Sequence, residues 1–187
     1  PVYSFDNSEK AILYGIETEG RLQFDNLLSY LGDISSYESL IKQFYISYNF
    51  SYTDSEVTLK PEQEERFSTN LRQLQGLSQY VFNTTLGYES ENRSLALSYN
   101  FMGERIRKVG LIADTALNGE PVRIPDTVEV PPHLLDFVWQ EKFDDGWSAS
   151  LKVGNILDDE TVWKWDDRIL NKYKKGRNFS FGASYKF

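Results

Sequence analysis

The sequence predicts an all-β protein and, more narrowly, a stretch of antiparallel transmembrane β-barrel wall. Three observations carry this expectation. Apolar and polar residues alternate with period two along several unusually long segments. Aromatic residues make up 15% of the chain, and many of them share one parity with the aliphatic residues of their segment, opposite small polar ones. The connectors between segments alternate between short and long, as they do in a barrel with tight turns at one end and loops at the other.

The totals narrow the field. A chain of 187 residues suffices for one domain. The formal net charge of -8 argues against nucleic acid as a partner, because phosphate binding wants a Lys/Arg surface. No run approaches the ~18 apolar residues of a membrane helix. A membrane protein with this sequence would therefore have to cross with strands. There are no cysteines, which excludes a disulfide framework and a thiolate metal site. The chain begins at Pro1, its one methionine is Met102, and no basic and apolar leader precedes the first segment. These features predict a processed chain or a fragment whose natural N-terminal part lies upstream.

After a polar, turn-like start, "AILYGIETEGRLQF" places Ile12, Tyr14, Ile16, Thr18, Leu22 and Phe24 on one face, and Glu17, Glu19, Arg21 and Gln23 on the other. It runs for 14 residues, against about five or six in an ordinary strand. "LLSYLGDISSYESL" reads as a connector. In "IKQFYISYNFSYTDS", Phe44, Ile46, Tyr48, Phe50 and Tyr52 face one way and small polar residues the other. "EVTLKPEQEERFSTNLRQLQGLS", charged and broken by Pro61, reads as a loop. "QYVFNTTLGYE" groups Tyr80, Phe82, Leu86 and Tyr88. After the turn "SENR", "SLALSYNFMGERIRK" groups Leu95, Leu97, Tyr99 and Phe101. Residues 109–132, with Pro121, Pro125, Pro131 and Pro132, read as a second loop.

"HLLDFVWQEKF" groups Leu135, Phe137, Trp139 and Phe143, with Glu141 on the same parity. That carboxylate is expected near the lipid headgroups, where a charge costs little. "DDG" is a tight turn. "WSASLKVGNIL" groups Trp147, Ala149, Leu151 and Val153, and its alternation slips at Gly154-Asn155, as at a bulge. "DDETVWKWDDRILNKYKKG" reads as a third loop. It leads to "RNFSFGASYKF", where Phe179, Phe181, Ala183, Tyr185 and Phe187 share one parity. The sum is about seven strands. The connector near Leu28 to Leu40 fits the short side least well.

Several words in this sequence resemble the C-terminal part of the TonB-dependent outer-membrane receptors. They are "AILYGIETEG", "RQLQGLSQYVFNTTLGYE", "LSYNFMGERIRKVG", "PHLLDFVWQEKF" and "LKVGNILDDE", in that order and over nearly the whole chain. The resemblance implies that residues 1–187 are about the last seven strands of a roughly 22-stranded barrel. The plug domain, the N-terminal strands and the segment that contacts TonB would lie upstream or on another chain. It further implies the outer membrane of a Gram-negative cell and the import of a scarce ligand: a ferric siderophore, cobalamin or an oligosaccharide. The implied partners are the remainder of the barrel and plug, TonB through the plug, outer-membrane lipid and the barrel assembly machinery. Two alternatives stay open: a passive outer-membrane channel, and a soluble β-barrel binding protein.

Candidate sites follow. A terminal aromatic preceded by aromatics at alternate positions is the assembly signal of outer-membrane barrels generally; Phe179, Phe181, Tyr185 and Phe187 match it, and Ala183 departs by being small. In the third loop, Trp163, Trp165, Arg168 and Tyr173 are ring and guanidinium groups of the kind that anchor ligands, or an aromatic belt at the membrane interface. Glu17, Glu19, Arg21, Lys42 and Lys152, on the polar face, are expected to meet a plug or water. His133, the one histidine, is expected in a structural or surface role. Asp144-Asp145, Asp158-Asp159-Glu160 and Asp166-Asp167 lack a calcium-loop spacing and read as solvated turns. No nucleophile elbow, phosphate loop or zinc motif occurs. The sequence therefore predicts neither an enzyme nor a resident cofactor.

Overall fold

A computed structural model describes residues 7–29, 38–113 and 121–187. Residues 1–6, 30–37 and 114–120, which include the turn-like start and parts of two connectors, lie outside the described residues. In chain order the elements begin with β1 (Lys10–Gln23), α1 (Phe24–Ser29), α2 (Glu38–Ile41), β2 (Phe44–Thr58), α3 (Pro61–Glu64), β3 (Leu71–Arg72), β4 (Tyr80–Glu89) and β5 (Arg93–Met102). They continue with β6 (Arg105–Lys108), β7 (Ile112–Ala113), β8 (Val122–Arg123), β9 (Thr127–Val130) and β10 (Leu134–Lys142). The last four are β11 (Trp147–Gly154), β12 (Glu160–Trp165), β13 (Arg168–Lys174) and β14 (Asn178–Tyr185).

The protein is mostly β and its sheets are antiparallel. The seven long segments form one meander in the order β1-β2-β4-β5-β10-β11-β14, with β3 beside the far end of β2. Among the described residues β1 and β14 are both edges, so the sheet is open rather than closed on itself.

Because side chains alternate along a strand, a one-residue slip would invert a whole face. No such slip occurs between neighbours in this sheet. Leu22, Ile46, Leu86, Leu97, Phe137, Val153 and Phe179 stand side by side across all seven strands. On the other face, Arg21, Ser47, Thr85, Ser98 and Asp136 form a parallel polar row. The Thr85 and Ser98 hydroxyls lie 2.9 Å apart, and Asn83 donates to Asn49 at 3.3 Å.

Neither face is covered. Among the described residues Val57, Leu59 and Pro131 are the buried apolar side chains. Ile16 is 65% exposed and Phe181 is 72% exposed. The accessible surface is 13463 Å², against about 9,200 Å² for a folded soluble monomer of this mass. The molecule therefore presents its apolar side chains outward as a continuous sheet face. No described helix is long and apolar enough to cross a membrane.

Near each end of the apolar face stands a carboxylate held by polar partners. At the short-turn end, Glu141 accepts from the Arg93 guanidinium at 2.5 and 2.9 Å and from the Trp139 indole N–H at 3.2 Å. At the opposite end, Asp54 accepts from the Tyr14 hydroxyl at 2.9 Å and from Gln79 at 3.1 Å. On the polar face, Tyr45 lies flat across Gly87, where a Cβ would sit 2.1 Å from the ring. Arg21 covers the same ring at 3.7 Å and pairs with Glu89 at 2.9 Å. An aromatic ring shielding a cross-strand glycine fixes the register of such a pair.

Four details differ from the sequence expectation. Phe24 opens α1 instead of ending β1. The segment read as one strand through Lys108 breaks after Met102, and Arg105–Lys108 joins another sheet. Asn155 is no bulge: β11 stops at Gly154, and Asn155 turns the chain at φ 55, its N–H held by Asp136 and its side-chain amide by Gly176. Lastly, the three stretches read as loops contain strands. β9, β12, β13 and β6 form a four-stranded sheet in the order β13-β12-β9-β6, and β7 pairs with β8.

Candidate functional site

The three long connectors dock on one another at a single end of the large sheet. Residues 59–79 are tied to residues 103–133 by several backbone bonds, among them Gly76 N–H to Ile106 O at 2.8 Å and Ile112 N–H to Arg66 O at 2.9 Å. β9 pairs with β12, joining the second connector to the third. Lys164 adds an ion pair to Glu104 at 2.7 Å. The other end carries the tight turns at Ser90–Asn92 and Phe143–Gly146 together with α1 and α2.

Glu129, in β9, organises this end. It is only 6% exposed. Arg105 donates to it at 2.5 and 3.1 Å, Arg107 at 2.9 Å, and the Trp163 indole N–H at 3.2 Å. Burial alone would push its carboxyl up, but the two guanidinium groups outweigh burial and hold it below the ordinary carboxylate range. Arg107 also stacks on the Trp163 ring at 3.8 Å, and Tyr173 meets that ring edge-on at 5.8 Å. Four donors on one buried carboxylate fix both arginines in place.

Between this cluster and the polar face of the large sheet lies a cleft of about 560 Å³. Asn83, Asn100 and Asp136 form its floor; Arg105, Arg107, Tyr173 and Lys175 overhang it. Its apolar wall comes from residues including Met102, Pro131, Pro132 and Leu134. The cleft can offer cationic donors, amides, a ring and a non-polar surface to one bound molecule.

The anticipated loop residues divide. Tyr173 lines the cleft, and Trp163 backs it through Arg107 and Glu129. Trp165 donates to Thr127 at 2.9 Å, and Arg168 is exposed at the start of β13, opposite Trp165. Arg105, Arg107, Glu129 and Lys175 were not anticipated. Arg105 and Arg107 lie far from Glu129 on the second connector and Lys175 lies on the third, and no local spacing announces them.

The closing strand is an exposed edge: Phe179, Phe181 and Tyr185 lie on the apolar face, and Phe187 follows the last ladder pair. Trp147, Tyr185 and Phe187 make a run of ring contacts at 5.1 and 5.2 Å. Ala183 sits opposite Ala149. His133 packs among apolar-face rings, its Nδ1 2.5 Å from the Tyr99 hydroxyl and its ring 5.0 Å from Phe101. Its backbone N–H donates to Asp159, which also accepts from Glu160 N–H; these bonds hold the Asp159 carboxyl below its usual range. Among the described residues no three His, Asp or Glu side chains converge to hold a metal. Compared with known proteins, the chain matches no family model, no curated protein and no solved structure.

Proposed function

We propose that this chain is the C-terminal part of the barrel wall of a TonB-dependent receptor in an outer membrane, importing a scarce ligand such as a ferric siderophore, cobalamin or an oligosaccharide. The observation that carries the reading is the apolar row from Leu22 to Phe179, which crosses seven strands without meeting a core. Such a face is stable in hydrocarbon and an aggregation hazard in water. The dimensions agree. Ile12 to Leu22 of β1 covers 11 residues, about 33 Å of strand. A tilt of ~40° reduces that to about 25 Å, the height of a barrel's apolar band.

On this reading the tight turns face the periplasm, the docked connectors face outside, and the polar face lines the lumen. The two open edges belong against the remaining barrel strands, because an unpaired edge of such length invites aggregation. The plug would sit against the polar face and carry the contact to TonB. The chain supplies wall, outer connectors and, through Phe179, Phe181, Tyr185 and Phe187, the signal to the assembly machinery. It does no covalent chemistry.

Fractionation of the native protein tests this. It should travel with outer membranes, need detergent for extraction, and change its gel mobility on boiling. Mass spectrometry of the extracted particle should find plug sequence in the same particle. Recovery as a soluble, monodisperse protein without detergent would sink the proposal. Ion conductance without a plug and without dependence on TonB would replace it with a passive channel.

A further inference from the structure

The cleft under the docked connectors has a chemical bias that its residues define. Glu129 takes two of the five N–H groups of Arg105 and one of the five on Arg107. The remaining donors of both side chains have no other hydrogen-bond partner among the described residues. Glu129 is itself buried and accepts four bonds, so its charge is spent on positioning the arginines. Lys175 and the Tyr173 hydroxyl have no hydrogen-bond partner among the described residues. Asp136 is occupied by the Asn155 N–H at 2.8 Å. The cleft thus holds three cations, Arg105, Arg107 and Lys175, against two carboxylates, Glu129 paired with both arginines and Asp136 accepting one backbone N–H, so its lining keeps a cationic excess. This lies within a chain of net charge -8, so the cationic lining is local.

We infer that this cleft is a receptor for the oxyanion groups of a small acidic ligand, with Arg105, Arg107 and Lys175 as its donors. Guanidinium groups pinned by a buried carboxylate keep their free edges in fixed geometry, which suits bidentate capture of a carboxylate or phosphate. Little ordering remains to be done when the ligand arrives. Pro131, Pro132 and Met102 give the ligand's non-polar part a surface to rest on. A neutral oligosaccharide brings no charge to the free donors of these cations and is disfavoured. The inference rests on the receptor reading, because it assumes that the connector end faces the medium from which ligand arrives.

Calorimetry on the detergent-purified native protein tests it, with citrate and inorganic pyrophosphate as probes and maltotriose as the neutral control. Both anions should bind saturably, and 0.5 M salt should weaken them, as screening requires. Arg107→Gln and Lys175→Gln should each weaken binding by about tenfold, the loss of one charge-assisted contact. Lys175 has no structural partner among the described residues, so its variant separates lost binding from lost folding. No saturable heat from either anion below about 10 mM, or binding undiminished in Lys175→Gln, would overturn the inference. Maltotriose binding as tightly as the anions would do the same. A protein that binds citrate but behaves as soluble would instead refute the receptor reading and leave the anion site standing.

Discussion

The seven-stranded sheet and the four-stranded sheet treat water in opposite ways. The large sheet leaves an entire apolar face uncovered, with Phe181 at 72% exposure. The small sheet buries a carboxylate, Glu129, to 6%. In a soluble domain both choices would be costly. On the proposed receptor reading the large sheet meets hydrocarbon and the small one an aqueous vestibule, where a buried charge holds two cations in position.

The sharpest way to break this comparison is to place one charge on each face of the same strand. Leu97 lies midway along β5 in the apolar row, and its neighbour Ser98 points to the polar face. Leu97→Arg should destabilise a bilayer-inserted barrel by about 2–4 kcal/mol, and Ser98→Arg by less than about 1 kcal/mol. Folding into lipid vesicles, read as the fraction of heat-modifiable protein against urea, measures both. Equal effects would mean that the two faces share one solvent.

On the small sheet, Glu129→Gln should cost about 1–2 kcal/mol, because it frees two guanidinium groups that are themselves partly exposed and so partly screened. The loss should be local, read as faster proteolysis within residues 103–133 with the large sheet still folded. The pH dependence has a definite sign. Glu129 is held below its ordinary value, so its stabilisation is fully present above about pH 4.3. It is lost as pH falls through the lower folded-state value. Glu129→Gln should remove that acid-sensitive step in the protease assay.

Gly87 probes a third kind of contact. A methyl group there would sit 2.1 Å from the Tyr45 ring, so Gly87→Ala must displace the ring and its Arg21 stack at a cost of about 1 kcal/mol. Tyr45→Ala in the same chain should relieve that clash. A double-mutant cycle in urea would show the coupling, and simple additivity would show that the ring does not shield the glycine.

How far the sequence revealed this depended on which force was at work. Period-two alternation reports two faces of different polarity, so the seven long strands of the large sheet were legible, down to the parity of Ile46 or Phe137, whereas the short β3 fell within a stretch read as loop. The small sheet was not. Its strands are short, lie among charges and prolines, and owe their pairing to one another rather than to an apolar face. "TVEV" and the run from Glu160 to Lys174, split by the Asp166-Asp167 turn, carry a hairpin pattern that could have been read. The ionic cluster had no such signal. Arg105, Glu129 and Trp163 meet only because β9 pairs with β6 of its own connector and with β12 of the next, and sequence distance conceals that.

The smallest expected effect falls where the two surroundings meet. Glu141 shares the apolar parity of Trp139 and Phe137, yet on that face it sits one row inside the Phe143–Trp147 pair that closes the turn, held by Arg93 and the Trp139 indole. If that row lies at headgroup level, losing the charge leaves Arg93 beside water and lipid phosphate, both able to replace the partner. Glu141→Gln should then cost less than about 1 kcal/mol, because charge penalties on a barrel's lipid face fade near the interface. Moving the same carboxylate inward, as Phe137→Glu, should cost more. The gradient between these two variants, measured in vesicles of one lipid composition, gives the depth of the Glu141 row. A flat profile would remove the bilayer from the explanation of this face.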